Sequence, residues 1–111
     1  MHFAVYCLDH DDTVELRNDH RAVHRAYLDT QAARIFFSGP LLADDGKLQL
    51  GSLFILSVGS RAEAEDFIGN EPYNNAGIFK SVRILRMRKG RYDPEKVCHE
   101  AEAPLRFDPF E

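Results

Sequence analysis

The stretch Arg34-Ile-Phe-Phe-Ser-Gly-Pro-Leu-Leu42, then Ala43-Asp-Asp-Gly-Lys47, then Leu48-Gln-Leu-Gly-Ser-Leu-Phe-Ile-Leu-Ser-Val58, decides the fold. Two apolar runs flank Asp44-Asp45-Gly46, and Asp-Gly between such runs signals a tight hairpin turn, so the runs pair antiparallel. In the second run Leu50, Phe54, Leu56 and Val58 alternate with Gly51, Leu53, Ile55 and Ser57. Both faces of that strand are largely apolar, so both need a cover. In the first run Gly39-Pro40 marks a bulge or a sheet edge, because proline has no N–H to donate to a ladder.

Downstream, Ser60-Arg-Ala-Glu63 is a capping box, in which the serine caps a helix and the glutamate reaches back. Ala64, Phe67 and Ile68 form the buried stripe of that helix, and Gly69 ends it. Glu71-Pro72-Tyr73-Asn-Asn-Ala-Gly77 reads as a loop leading to a last strand at about Lys80–Met87. Upstream, His2–Leu8 is a strand with Phe3, Val5 and Cys7 on one face and Ala4, Tyr6 and Leu8 on the other. Asp9-His-Asp-Asp12 is a polar loop; Asp12 or Thr13 caps a first short turn, and Asp19 offers a second N-cap. Val23, Tyr27 and Thr30 recur at helical spacing beside Ala26 and Ala33, which predicts an amphipathic helix over roughly 19–33. The order is β-α-β-β-α-β, an α+β, ferredoxin-like arrangement on one four-stranded antiparallel sheet. Its helices cover one face only. The other apolar face calls for a second copy of the chain, so a face-to-face homodimer is expected.

The 111 residues make one domain, and 44% hydrophobic with 29% charged residues excludes a disordered or low-complexity chain. The net charge of −4 hides a split. Residues 1–71 hold twelve acids and six bases, residues 72–92 six bases and no acid, and residues 93–111 six acids and two bases. The basic block falls mostly within the last strand, where charge guards a sheet edge, so nucleic acid is not an expected partner. No apolar run suits a membrane helix and no signal peptide opens the sequence. Cys7 and Cys98 are far apart and lack Cys-x-x-Cys spacing; Cys7 reads as a small buried hydrophobe, which together favour a reducing cytoplasm. Residues 1–90 are taken as the domain. Residues 91–111, with Pro94, Pro104 and Pro109 and with Leu105-Arg-Phe107-Asp-Pro-Phe110, are an arm that either packs on a partner subunit or stays disordered.

Chemistry concentrates at three places. Arg17, Arg21, His24 and Leu28 are spaced i, i+4, i+7 and i+11 on one helical face. His20 and His24 have the spacing of two metal ligands, with Asp9, His10, Asp11 or Asp12 as the remaining candidates, but Arg17 and Arg21 in the same turns repel a cation, so no metal is expected. His24 is either a structural histidine or a general base kept neutral by those arginines. Ser38 before the Gly39-Pro40 break exposes hydroxyl and backbone together, or is part of a plain bulge; Glu71-Pro72-Tyr73 is a functional loop or a plain turn. If the three places converge, they supply a carboxylate–imidazole pair, a hydroxyl and a phenol, enough for proton transfer at a carbon beside a carbonyl or enol. No nucleotide-binding, nucleophile-elbow or zinc motif is present, so no cofactor is expected.

Arg21-Ala-Val-His24-x-x-Tyr27-Leu28, Phe37-Ser38-Gly39-Pro40, and Glu71-Pro72-Tyr73 with Ala76-Gly77 resemble, in order and spacing, the YCII-related family over about residues 1–90. The resemblance implies the dimeric α/β-barrel form of the ferredoxin-like fold, shared with muconolactone isomerase-like proteins. It implies a histidine–carboxylate acid/base site in a cleft between helix and sheet, and one such member is a dehydrochlorinase of a chlorinated hydroxyquinol. His24 matches the histidine position. Glu71 stands where the family pattern is Asp-Pro-Tyr or Asp-Pro-Phe, and its extra methylene moves the carboxylate by more than about an ångström unless the backbone compensates. On this reading His24 moves the proton, Glu71 orients His24 or shares its proton, and Arg21 stabilises a developing oxyanion. Ser38, with the Gly39 backbone beside it, and Tyr73 are expected to hydrogen-bond substrate oxygens. The expectation is a cofactor-independent isomerase- or lyase-like enzyme on a small aromatic-derived, enol or lactone metabolite. The alternative is a non-catalytic ligand-binding or interaction protein that keeps the dimeric fold.

Overall fold

The structure is a computed structural model that describes residues 1–96. Its elements run β1 (His2–Asp9), α1 (Val14–Thr30), β2 (Ile35–Leu42), β3 (Gln49–Ser57), α2 (Arg61–Gly69), α3 (Pro72–Asn75) and β4 (Phe79–Met87). The four strands form one antiparallel sheet in the order β2-β3-β1-β4. With both long helices on one face this is the α+β, ferredoxin-like fold. Val5 of β1 is in register with Phe54 of β3 and Ile84 of β4. On that face Phe3, Val5, Cys7, Phe54 and Leu56 pack against Ala64, Phe67 and Ile68 of α2 as the core. The α2 stripe is therefore the one its sequence predicts.

Several local features differ from their sequence reading. Helix α1 is continuous from Val14, without a second start at Asp19. Its Thr13 cap makes no side-chain cap bond, because the hydroxyl donates instead to Asp9. The face expected to be buried on Val23 and Thr30 is exposed, Val23 to 58%; Arg17, His24 and Leu28 are the buried residues. The polar side points inward because Asp9, Ser52 and Glu71 wait there with partners for it. Helix α2 runs through Gly69 and stops at Asn70, whose side-chain amide donates back to the Asp66 carbonyl. Ser60 accepts from Glu63 N as expected, while Glu63 reaches back to Gly59 N.

The hairpin loop is wider than a two-residue turn. The Asp45 carboxylate accepts from Lys47 N and Leu48 N, and Gly46 takes the left-handed φ of 72°. Gly39-Pro40 marks an edge strand, with Pro40 in register with Ser52, and the irregularities lie on either side, at Ile35/Phe37 and Leu41/Leu42. β4 is the other edge and carries the exposed bases Lys80, Arg83 and Arg86. Residues 72–75, read as loop, form a one-turn helix.

No helix among the described residues covers the second sheet face, where Tyr6 and Leu85 are exposed and Phe37 is at 64%; the segment after β4 lies over part of it, with Tyr92 against Phe36. No helix among them is long and apolar enough to cross a membrane. The expected arm falls mostly outside the described residues, including Cys98 and residues 105–110.

Candidate active site

The sequence places an arginine, a second arginine and a histidine on one face of α1, and the fold turns that face onto the sheet. Asp9, the last residue of β1, accepts two hydrogen bonds from Arg17, from Nε at 2.7 Å and from Nη2 at 3.0 Å. Arg17 Nη2 also donates to Ser52 Oγ on β3 at 3.1 Å. The pair is almost fully buried, and its bidentate geometry fixes the start of α1 over the ends of two strands.

Two turns further on, His24 Nδ1 meets Glu71 Oε1 at 2.5 Å, with His24 1% and Glu71 0% exposed. Glu71 comes from the N-cap of α3. Proline at the first position of that helix needs no N–H partner, and the Glu71 carboxylate accepts from Tyr73 N and Asn74 N, both at 3.2 Å. The extra methylene is thus absorbed locally: the side chain folds back over its own helix start and still reaches the imidazole. A carboxylate holding these donors is an acceptor only, so His24 donates from Nδ1 and Nε2 is left as the basic nitrogen.

Tyr73 is fully buried and lies against His24, ring centroids 3.8 Å apart and planes 8° from parallel. Arg17 Cζ is 4.8 Å from the Tyr73 ring centroid. Burial pushes the Tyr73 phenol above its ordinary pKa, with Arg17 and Arg21 pulling the other way. Cys7 is pushed up to about 12 by burial and by the charges of Glu71 and Asp9, so its thiol stays protonated and is no nucleophile.

Of the residues singled out in the sequence, His24, Glu71 and Tyr73 come together, with Arg21 half-buried on the same helical face. Ser38 sits on β2 in register with Phe54, two residues from Pro40, whose partner Ser52 takes the Arg17 bond. Gly39 is in register with Leu53 and so lies on the opposite sheet face from Ser38. His20 turns away and donates to its own helix at the Leu16 carbonyl. Among the described residues no three His, Cys, Asp or Glu side chains gather as a metal site. The sequence does not mark Asp9 and Arg17 as a pair; its one signal is that Arg17 shares a helical face with Arg21 and His24.

A cavity of about 780 Å³ lies on the other sheet face, between Phe36, Phe37, Met87 and Tyr92, away from His24. One of about 370 Å³ touches the Asp9 end of the site, beside Thr13 and Leu50. Convergent polar chemistry, rather than cavity size, marks the site.

The family model of the YCII-related domain matches residues 1–88. This chain belongs to the YCII-related family. A structure similar to this YCII-related protein is that of 5-chloro-2-hydroxyhydroquinone dehydrochlorinase from Burkholderia phenoliruptrix AC1100, in complex with 2,5-dihydroxybenzoquinone. The two are 33% identical with a TM-score of 0.74, and the match covers 81% of this chain and 96% of the dehydrochlorinase. Comparison with proteins of curated function gives no match.

Proposed function

We propose that this YCII-related protein is an acid/base enzyme that works without a cofactor on a small hydroxylated aromatic, enol or lactone metabolite. The observation that carries the reading is the buried hydrogen bond from His24 to Glu71, which holds the imidazole in one tautomer. Glu71 orients the ring and stabilises the imidazolium that forms when Nε2 takes a proton, the role a carboxylate plays behind a catalytic histidine. Arg21 and Tyr73 face developing negative charge on a substrate oxygen, and Ser38, on the helix-covered side of β2, contributes a hydroxyl.

On a chlorinated hydroxyquinol, His24 takes a hydroxyl proton and returns it to the chlorine-bearing ring carbon, giving a keto tautomer. Loss of a second hydroxyl proton then expels chloride with its bonding pair, a net loss of hydrogen chloride. Free Cys7 suits a reducing cytoplasm, and the open sheet face suits a homodimer.

The test is chloride release from 5-chloro-2-hydroxyhydroquinone. His24→Ala is expected to lower kcat by about 10²–10⁴ while the far-UV circular dichroism is unchanged. A wild-type protein that releases no chloride and moves no proton on hydroxylated aromatics or lactones sinks the reading. A second reading, a ligand-binding protein without catalysis, is favoured by one observation: His24 and Glu71 are sealed from solvent in the single chain. Binding of 2,5-dihydroxybenzoquinone without turnover of any such compound would select it.

A further inference from the structure

Three buried polar atoms at this site have no partner among the described residues: Nη1 of Arg17, Nε of Arg21 and Oη of Tyr73. Native proteins leave few such groups unpaired, and three in one place ask for an explanation. They belong to one cluster. Arg17 and His24 are seven residues apart on α1, about 10 Å along its axis. The Tyr73 ring stacks on His24 at 3.8 Å and lies 4.8 Å from Arg17 Cζ, distances that fit a ring held between the two. Arg21 is midway on the same helical face, and both guanidiniums act on the phenol.

All three atoms can donate, Tyr73 Oη can also accept from Arg21, and the nearby carboxylates are already engaged. Arg17 uses its other nitrogens on Asp9 and Ser52. Glu71 uses its oxygens on His24, Tyr73 N and Asn74 N. Arg17 is neutralised by Asp9, while no carboxylate among the described residues lies within ion-pair reach of Arg21. The cluster therefore offers three donors, two of them on guanidiniums. A water molecule accepts two hydrogen bonds and brings two protons that need acceptors of their own. An ionised oxygen accepts all three.

We propose that Arg17, Arg21 and Tyr73 form an oxyanion corner that selects the ionised form of a hydroxylated aromatic or enolic ligand, one deprotonated oxygen seated among the three donors. The proposal deepens the acid/base reading and rests on it for the position of the ligand beside His24. It adds Arg17 to the ligand-binding set and gives the Asp9–Arg17 pair a purpose: Asp9 holds the guanidinium so that Nη1 stays free.

The probe is 4-nitrocatechol, whose visible spectrum reports whether it is ionised. Bound to the wild-type protein, it is expected to show the anion spectrum at a pH where the free compound is mostly neutral. Tyr73→Phe is expected to weaken binding about tenfold or more, the loss of one hydrogen bond to a charged group. The same variant, without ligand, is expected to keep the wild-type circular dichroism spectrum, so that weaker binding reports the lost hydroxyl and not a lost fold. Arg21→Met is expected to abolish the spectral shift and Arg21→Lys to restore part of it. Arg17→Gln, made together with Asp9→Asn so that no buried carboxylate is left unpaired, is expected to weaken the probe as Tyr73→Phe does. No binding, binding of the neutral form, or wild-type affinity in Tyr73→Phe and Arg21→Met overturns the proposal. A protein that binds the anion in this way yet releases no chloride and moves no proton defeats the acid/base reading alone.

Discussion

Glu71 does two things at once: it caps α3 by accepting from the Tyr73 and Asn74 amides, and it holds His24. Removing it strands several donors, because His24 Nδ1, Tyr73 N and Asn74 N all lose their acceptor in a place water does not reach. Glu71→Ala is therefore expected to cost about 3 kcal/mol or more, the cost of leaving buried donors without an acceptor, read as a lower urea midpoint. A loss under about 1 kcal/mol would show that the carboxylate is not engaged as described. Much of this site was legible in the sequence, since His24 and Glu71-Pro72-Tyr73 carry recognisable local patterns. The Asp9–Arg17 pair was not, because nothing in a linear sequence says that a strand's last residue faces the second turn of the helix after it. Pairing of that kind is set by the angle at which α1 leaves the sheet.

Helix α1 shows why periodicity finds an element more readily than its buried face. The 3.6-residue spacing is real, but the apolar side with Val23 is exposed and the side with Arg17 and His24 is buried. Apolar patterning assumes that burial follows hydrophobicity, and a functional site reverses that rule by supplying buried partners. Helix α3 escaped a reading based on periodicity because one turn has no period, although proline just after a capping carboxylate is a start signal. The strand interior was clearer, and Gly51 shows how tightly it is set. A Cβ at Gly51 would lie 2.0 Å from the Cys7 carbonyl oxygen across the β1–β3 pair. Gly51→Ala must therefore push β1 and β3 apart next to Asp9. It is expected to destabilise by about 3 kcal/mol, the upper end for overpacking, and to lower activity through the displaced Arg17 anchor. Thermal unfolding beside chloride release checks both, and a variant as stable as wild type would mean that the two strands are further apart than the register implies.

At the scale of the molecule, the sheet has one face more than its helices can cover. Alternation along β1, β2, β3 and β4 puts Tyr6, Phe37, Ile55 and Leu85 on the side away from α1 and α2. Of these Tyr6, Phe37 and Leu85 are exposed, Phe37 to 64%. Contiguous apolar surface of this kind marks an interaction site on a soluble protein, and a two-fold axis lets the same patch cover itself. Strands apolar on both faces were visible in the sequence; which face the helices leave open is decided by the right-handed β-α-β crossovers, and so only by the fold. The edges argue the same way, since exposed bases on β4 discourage edge-to-edge growth and leave face-to-face pairing as the closed solution. The protein is expected to have twice its 12.7 kDa chain mass in solution at micromolar concentration, measured by light scattering. Leu85→Lys, which sets a charge on the β4 side of the face without touching the core beneath it, is expected to halve that mass and to keep the circular dichroism spectrum. A wild-type protein that stays monomeric at micromolar concentration, or a Leu85→Lys protein that stays dimeric, would move the interface off this face.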